Sequence, residues 1–432
     1  MASVRTPFLT AYDPIGSTEG TLDPVGVFQI VDQLGTLLVP AVRERMQRVR
    51  FLTAMAVGVV VAEGLADDPS RRDSAPFLVW EWLVIESFLR TLERDENFWG
   101  VHGSDVVQQA VDQYEYVDAR SYLKTPRIFG FNGVYKRLGI HLGIVNLHLG
   151  PAQMTEPLVD AWARDRGYGG FNDARPLLRR WTAAVERSLG EKPPRTRAGW
   201  SRESWAEMAQ AFAPGGNGAR EKRALREMLR PTEDQRLGAL PEIWDLQARF
   251  EGEFLEEELH EFLAEMHPRY RPLLQAIQAY ESFIRALQDS FDLLLAEGAQ
   301  SDSRGYEIVR IAKDTDFVAS TKNLHQRFEE ASEALGRLEG EGAAIRGLFE
   351  GRFGRFSEPL ESADIAKVLC EHHETVQRGK SADGKRPWFD RVGPDRIHVR
   401  QQFRKPRRPM EPNRYVGYYR GRPIRRFYFD LS

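Results

Sequence analysis

Leu273-Leu-Gln-Ala-Ile277-Gln-Ala-Tyr280-Glu-Ser-Phe-Ile284-Arg-Ala-Leu287-Gln-Asp-Ser-Phe291-Asp-Leu-Leu294 carries an apolar side chain at alternating steps of four and three residues. That spacing lays one stripe along a helix, and the stripe needs a facing helix to bury it. Phe317, Thr321, Leu324, Phe328, Ala331, Leu335 and Leu338 repeat the pattern. The connector 298–313 is short enough to fold the second stripe back on the first as an antiparallel pair. A third strip, Leu255, Leu259, Phe262 and Met266, could pack alongside. Residues 251–377 therefore read as a helical hairpin scaffold, and the chain as mainly α. The same stripes could also meet a second copy of the chain or another protein.

A chain of 432 residues has room for two or three domains. Cys370 is the only cysteine, which excludes an internal disulfide and favours a reducing compartment. The opening MASVRTPFLTAYDP has no apolar leader-like run, so a cytoplasmic setting is expected. The longest apolar run, residues 51–62, is twelve residues, too short for a bilayer and suited to a buried helix; no membrane partner is expected.

Residues 1–24 read as an extended arm, and helical patterns follow at 27–39, 49–65 and 77–92 within an N-terminal helical region, 1–115. Arg43, Arg45, Arg48 and Arg50 cluster between the first two. They suit either a phosphate-contacting patch or partners for buried carboxylates. Glu81 and Glu86 sit in Leu78-Val-Trp-Glu-Trp-Leu-Val-Ile-Glu-Ser-Phe-Leu89, where a carboxylate must find a cation or take up a proton. An ion pair with Arg48 or Arg50 is the structural expectation; a catalytic or ligand-holding carboxylate is the other.

Residues 116–190 have the outline of a winged-helix unit: a helix, a short alternating segment with a Gly-Pro turn, and further helices. At its start, Gly130-Phe131-Asn132-Gly133 opens a helix flanked by Lys124, Arg127, Lys136 and Arg137. Free N–H groups there, beside four cations, would form a phosphate clamp. A winged helix would also turn Tyr135 and its neighbours toward DNA. Residues 191–250 read as linker and short helices. Cys370 with His373 or Glu374 has helical spacing for two metal ligands, but no second pair accompanies it; neither a metal nor a cofactor is expected.

From residue 378 onward there are sixteen Lys/Arg and five Asp/Glu, a charge of +11 against −14 for the rest of the chain. Nine aromatic residues, among them Trp388, Phe403 and Tyr418, are interleaved with the cations, including Arg404, Lys405, Arg407, Arg408, Arg420, Arg422 and Arg425. Guanidinium groups neutralise phosphates and aromatic faces accept unstacked bases, so 378–432 reads as a basic, β-rich nucleic-acid-binding unit. Strands are expected at 396–403 and in a hairpin pairing 415–419 with 424–429. The alternative is a basic segment docked on its own acidic body.

The Walker, dinucleotide-binding, nucleophile-elbow, zincin, kinase and zinc-deaminase signatures are all missing. Metal-free hydrolysis of a glycosidic bond remains compatible, since it needs a carboxylate and a shaped pocket. A DNA glycosylase would draw its carboxylate from Glu81, Asp105 or Asp118, its wedge from Phe131 or Tyr135, and its phosphate track from the C-terminal unit.

Three stretches resemble poorly characterised proteins from bacterial anti-phage defence islands. They are Leu38-Val-Pro-Ala-Val-Arg-Glu-Arg-Met-Gln-Arg-Val-Arg-Phe-Leu-Thr53, Phe131-Asn-Gly-Val-Tyr135 with its following Leu-Gly, and Tyr280-Glu-Ser-Phe-Ile-Arg-Ala-Leu-Gln-Asp-Ser-Phe-Asp292. The resemblance implies action on phage DNA, by excision of a modified base of the glucosylated hydroxymethylcytosine type. The alternative is a non-enzymatic DNA-recognition or assembly subunit of a defence complex.

Overall fold

The computed structural model describes residues 23–65, 75–93, 98, 100–196, 200–230, 237–250, 254–301, 304–340, 342–380, 384–411 and 413–432. The arm expected at 1–24 lies outside them except for its last two residues. Among the described residues there are eighteen α-helices, with 65% of residues helical, and one three-stranded antiparallel sheet, so the chain is mainly α. The chain divides into two compact units: unit one takes 1–34 and 267–417, unit two takes 35–266 and 418–432. The boundary expected at 378 thus falls inside unit one. Helix α1 (Phe28–Leu38) crosses the division between residues 34 and 35.

Unit two contains α2 (Arg50–Ala62), α3 (Pro76–Thr91), α4 (Ser104–Tyr114), α5 (Pro126–Phe129), α6 (Phe131–His141), α7 (Thr155–Asp165) and α8 (Phe171–Gly190). It continues with α9 (Arg202–Phe212), α10 (Ala219–Leu229), α11 (Leu240–Leu246) and α12 (Glu256–Met266). The apolar run at 51–62 is the buried helix expected of it: α2 is in contact with α3, α6, α7, α8 and α9. Gly58 lets Trp80 lie against α2, since a Cβ there would overlap the indole, whose Nε1 donates to the Ala54 carbonyl at 2.9 Å. Trp80, Trp162, Trp181 and Phe212 form one aromatic cluster.

The third strip belongs to unit two, whereas the stripes it was expected to accompany belong to unit one. Helix α12 buries Glu256, Leu259, His260 and Leu263, and packs on α11 and the C-terminal helix, leaving Met266 exposed. The expected wing also takes another form. Between α6 and α7 the chain makes a single antiparallel bridge, Val145 to Pro151. The Asn146 side chain accepts from the N–H groups of His148 and Gly150, both at 2.9 Å, and Pro151 has no N–H with which to extend a ladder.

Unit one is built on α13 (Arg271–Ala299), with α14 (Thr315–Thr321), α15 (Leu324–Gly336), α16 (Gly342–Phe353) and α17 (Ser362–Arg378). Phe283 meets Phe328 at 5.8 Å, and the Ser290 and Ser320 hydroxyls are 2.8 Å apart, which makes the pair antiparallel as the stripes required. The second stripe is interrupted at Asn323, whose φ of +58° separates α14 from α15, yet its residues from Phe317 to Leu335 stay buried across the break. On α13 the buried face is wider than the heptad stripe. Phe283, off the stripe, packs edge-on against Phe349 and Phe353 as well, while Leu273 is half-exposed.

Strands β1 (Tyr306–Glu307), β2 (Phe389–Arg391) and β3 (Arg396–Val399) form the sheet in the order β1-β3-β2. Tyr306 pairs with Ile397, and Phe389 with Val399. The strand expected at 396–403 is therefore present in its first half. The hairpin expected at 415–429 is not: residues Gly421–Leu431 form α18. Ile424, Phe427 and Leu431 are buried at helical spacing, and Pro423, buried in the first turn, has the φ a helix start needs. That periodicity of three to four outweighs the local alternation.

Replacing Phe283 by Ala should cost about 3–5 kcal/mol of stability, and Leu273→Ala about 1 kcal/mol. Urea unfolding followed by circular dichroism reads the difference; equal costs would place the core on the heptad stripe alone.

Candidate functional site

Glu81 lies on α3 with its side chain 1% exposed. Its Oε1 accepts from the Tyr122 hydroxyl at 2.5 Å and its Oε2 from the Asn132 backbone N–H at 2.9 Å. A Cβ at Gly130 would overlap Oε1, so glycine is required where α6 begins. The helix start read as a phosphate clamp is therefore already filled by the protein's own carboxylate. Asn132 completes the junction by donating from Nδ2 to the Phe77 carbonyl at 3.1 Å. Burial pushes the Glu81 carboxyl up from 4.5 to about 7, against the two hydrogen bonds, and burial beside Glu81 raises the Tyr122 hydroxyl well above its ordinary value.

The expected ion pairs with Arg48 or Arg50 are not formed. Glu86 is bound by Arg90 one helical turn on, at 2.6 Å. Arg50, 1% exposed, pairs with Glu221 of α10 and donates to the Ala211 carbonyl at 2.6 Å. Thr53 and Asn217 complete the Glu221 carboxylate. Arg48 reaches Asp430 of α18 at 3.0 Å. Of the four arginines, Arg43 and Arg45 are exposed, the latter 4.4 Å over the Phe129 ring.

The two aromatic wedge candidates are core residues. Phe131 stacks on Phe51 at 5.0 Å, and Tyr135 accepts the N–H groups of Gln47 and Arg48 on its hydroxyl at 2.9 and 2.8 Å. Both are 0% exposed. Asp118 spends its carboxylate on a turn, accepting from Arg120 N, Ser121 N and Ser121 Oγ. Asp105 is exposed in the first turn of α4. Lys124 and Arg127 are exposed, while Lys136 and Arg137 are half-buried.

A second carboxylate pair had no distinctive signal in the sequence. Glu256, 4% exposed, accepts the N–H groups of Tyr419 and Gly421 on Oε1 at 2.8 and 2.9 Å and so holds the start of α18. Glu44, inside the arginine cluster, is pushed up to about 8 by burial and then by the neighbouring Glu256, with Arg420, Arg426 and Arg422 acting the other way. In the sequence Glu256 is one of three acidic residues in a row and Glu44 stands between two arginines, so neither is set apart.

The basic tail is divided in its use. Arg420 is 2% exposed with Nη2 at 3.4 Å from the Thr36 hydroxyl; Arg422 lies 3.7 Å over Tyr418; Arg425 lies 4.9 Å over Phe429 and donates to the Phe250 carbonyl. In unit one, Arg407 forks onto Asp314 and Asp316. Of these, the Arg407 ion pairs are the kind of contact that the self-docking alternative describes, while Arg422 and Arg425 lie on rings of the tail itself. Arg404, Lys405 and Arg408 remain exposed, with Arg404 anchored by its Nε to the Val399 carbonyl at 3.0 Å and by Nη2 to His398 at 3.1 Å.

His372 and His373 on α17 are bound to the carbonyls of Val25 and Pro24, both at 2.8 Å, and His373 Nε2 accepts the Trp388 N–H at 2.9 Å. Burial pushes His373 down to about 3, so the ring is neutral, and pushes the Cys370 thiol up to about 12. Among the described residues no cluster of three His, Cys, Asp or Glu could hold a metal ion. None of the described helices is long and apolar enough to cross a membrane. No family model, curated protein or solved structure matches this chain.

Glu81 thus has both oxygens engaged and no face turned to a substrate, and its chemistry is that of a buried acid. Its folded-state pKa is raised, so folding takes up a proton between pH 4.5 and about 7. Stability is therefore full below the unfolded pKa and falls as pH rises through that window, by about 3 kcal/mol. Glu81→Gln, whose amide can accept from Asn132 and donate to Tyr122, should flatten that share of the fall. Thermal unfolding of both proteins from pH 4 to 8 measures it, and parallel curves would refute it.

Proposed function

We propose that this protein binds DNA through the exposed basic run after β3 and serves as a DNA-recognition component of an anti-phage system. The observation that supports this reading is the run of exposed cations at 404–408: Arg404, Lys405, Arg407 and Arg408 are all exposed, with Arg407 held by Asp314 and Asp316. An anchored loop with cations directed to solvent suits phosphate contact, because ordering the loop costs little on binding. Recognition rather than catalysis is favoured by the full engagement of Glu81 and by the turn that consumes Asp118.

Excision of a modified base is the second reading, and it rests on Glu44. Burial and the neighbouring Glu256 push its carboxyl up to about 8, an acidity suited to protonating a leaving base, and Arg43 and Arg45 on either side of it in sequence are exposed. Incubation with DNA containing glucosylated hydroxymethylcytosine, followed by alkali, separates the two. Strand breaks confined to the modified DNA would establish excision; intact, tightly bound DNA would favour recognition.

For the basic run, the triple variant Arg404→Ala, Lys405→Ala, Arg408→Ala should bind DNA more weakly. It should also reduce the slope of log affinity against log salt by about 2–3, at roughly 0.9 for each phosphate no longer neutralised. Fluorescence anisotropy across 50–200 mM salt measures it, and an unchanged slope removes this run from the interface.

A further inference from the structure

We propose that the basic run takes unpaired DNA, with a base laid on the outer face of Phe403. The proposal rests on the DNA-binding reading of the same segment and adds which form of DNA is bound. Phe403 ends the short turn Gln401–Phe403 that follows β3, and its ring lies on Trp388 with centroids 4.6 Å apart and planes 2° from parallel. Trp388 is 5% exposed and fixed on its backbone at both ends: its N–H goes to His373 Nε2 at 2.9 Å, and its carbonyl accepts from Arg400 N at 3.0 Å. Phe291 and His373 stand near its ring at 6.0 and 5.7 Å. Phe403 is therefore the outermost ring of a backed aromatic stack, half-exposed in a stretch where Gln401, Gln402, Arg404, Lys405 and Arg408 are all exposed.

Two features of this placement select the ligand. A ring already stacked on a rigid partner keeps its orientation, so an incoming base pays little to order it. The surrounding cations, with Lys405 Nζ 5.9 Å from the Trp388 centroid, supply the charge that a phosphodiester backbone requires. In a duplex both faces of each base are already stacked on neighbours. Only an unpaired base has a face to offer.

The test compares a single-stranded oligonucleotide with the same sequence as a duplex, by anisotropy, for the full-length chain and for Phe403→Ala, Phe403→Leu and Phe403→Trp. Loss of one base stack should weaken single-strand binding about tenfold. Duplex binding should stay within about twofold, and Trp should restore what Ala and Leu lose. Leu keeps Trp388 covered, so it carries the test if the alanine variant fails to fold. A 2-aminopurine in the single strand should be quenched on binding to the original protein and not to the Leu variant. Equal losses on both DNA forms, or no loss on either, would overturn the stacking proposal. If stacking fails while the triple cation variant still lowers the salt slope, DNA binding stands without it; if the original protein binds neither form, both fall.

Discussion

Backbone N–H groups at a helix start must be paired, and at five helix starts of unit two a carboxylate from elsewhere in the chain takes part. Asp430 accepts from Val49 at the start of α2, Glu81 from Asn132 on α6, Asp160 from Phe171 on α8, Asp165 from Glu221 on α10, and Glu256 from Gly421 on α18. At none of these five starts does the capping residue's own side chain provide the bond. Each contact joins a local requirement to a tertiary one: the helix is capped only when its neighbour is in place. Some carboxyl groups of the acidic body thus have an internal use, as acceptors at helix starts.

This explains what could be read from the sequence and what could not. The stripes on α13 and on α14–α15 were legible because burial repeats every three to four residues and leaves a periodic trace, which survives even the break at Asn323. The apolar run of α2 was legible for the same reason. The acceptor at α6 was not, because Glu81 is fifty-one residues from Asn132 and only the fold brings them together. Gly130 carries the visible half of that contact, and a glycine making room for an internal carboxylate looks the same as a glycine making room for a phosphate. The C-terminal helix was not legible as a helix because Ile424 to Phe429 alternates over too few residues to separate a period of two from one of three to four.

Charge counting had a similar limit. The +11 of the last fifty-five residues is a property of the sequence, but the fold spends it unevenly. Arg420 is enclosed, Arg422 and Arg425 lie on aromatic rings, and Arg407 is clamped by aspartates. Among the described residues of the tail, Arg378, Lys385, Arg386, Arg404, Lys405 and Arg408 are exposed. The charge of the region was readable; the pairing of its cations was not, since pairing depends on which acidic residues the fold delivers.

The division of the chain also bears on how the protein is made. Unit two needs residues from both sides of 267–417, because α18 packs with α10, α11 and α12. On the ribosome, α18 emerges only after all of 267–417 has been synthesised. Until then the α2 start lacks Asp430 and the Glu256 carboxylate has no helix end to hold. Unit one has its contiguous stretch available earlier, so the order of synthesis favours closing unit one first and completing unit two around a late-arriving helix.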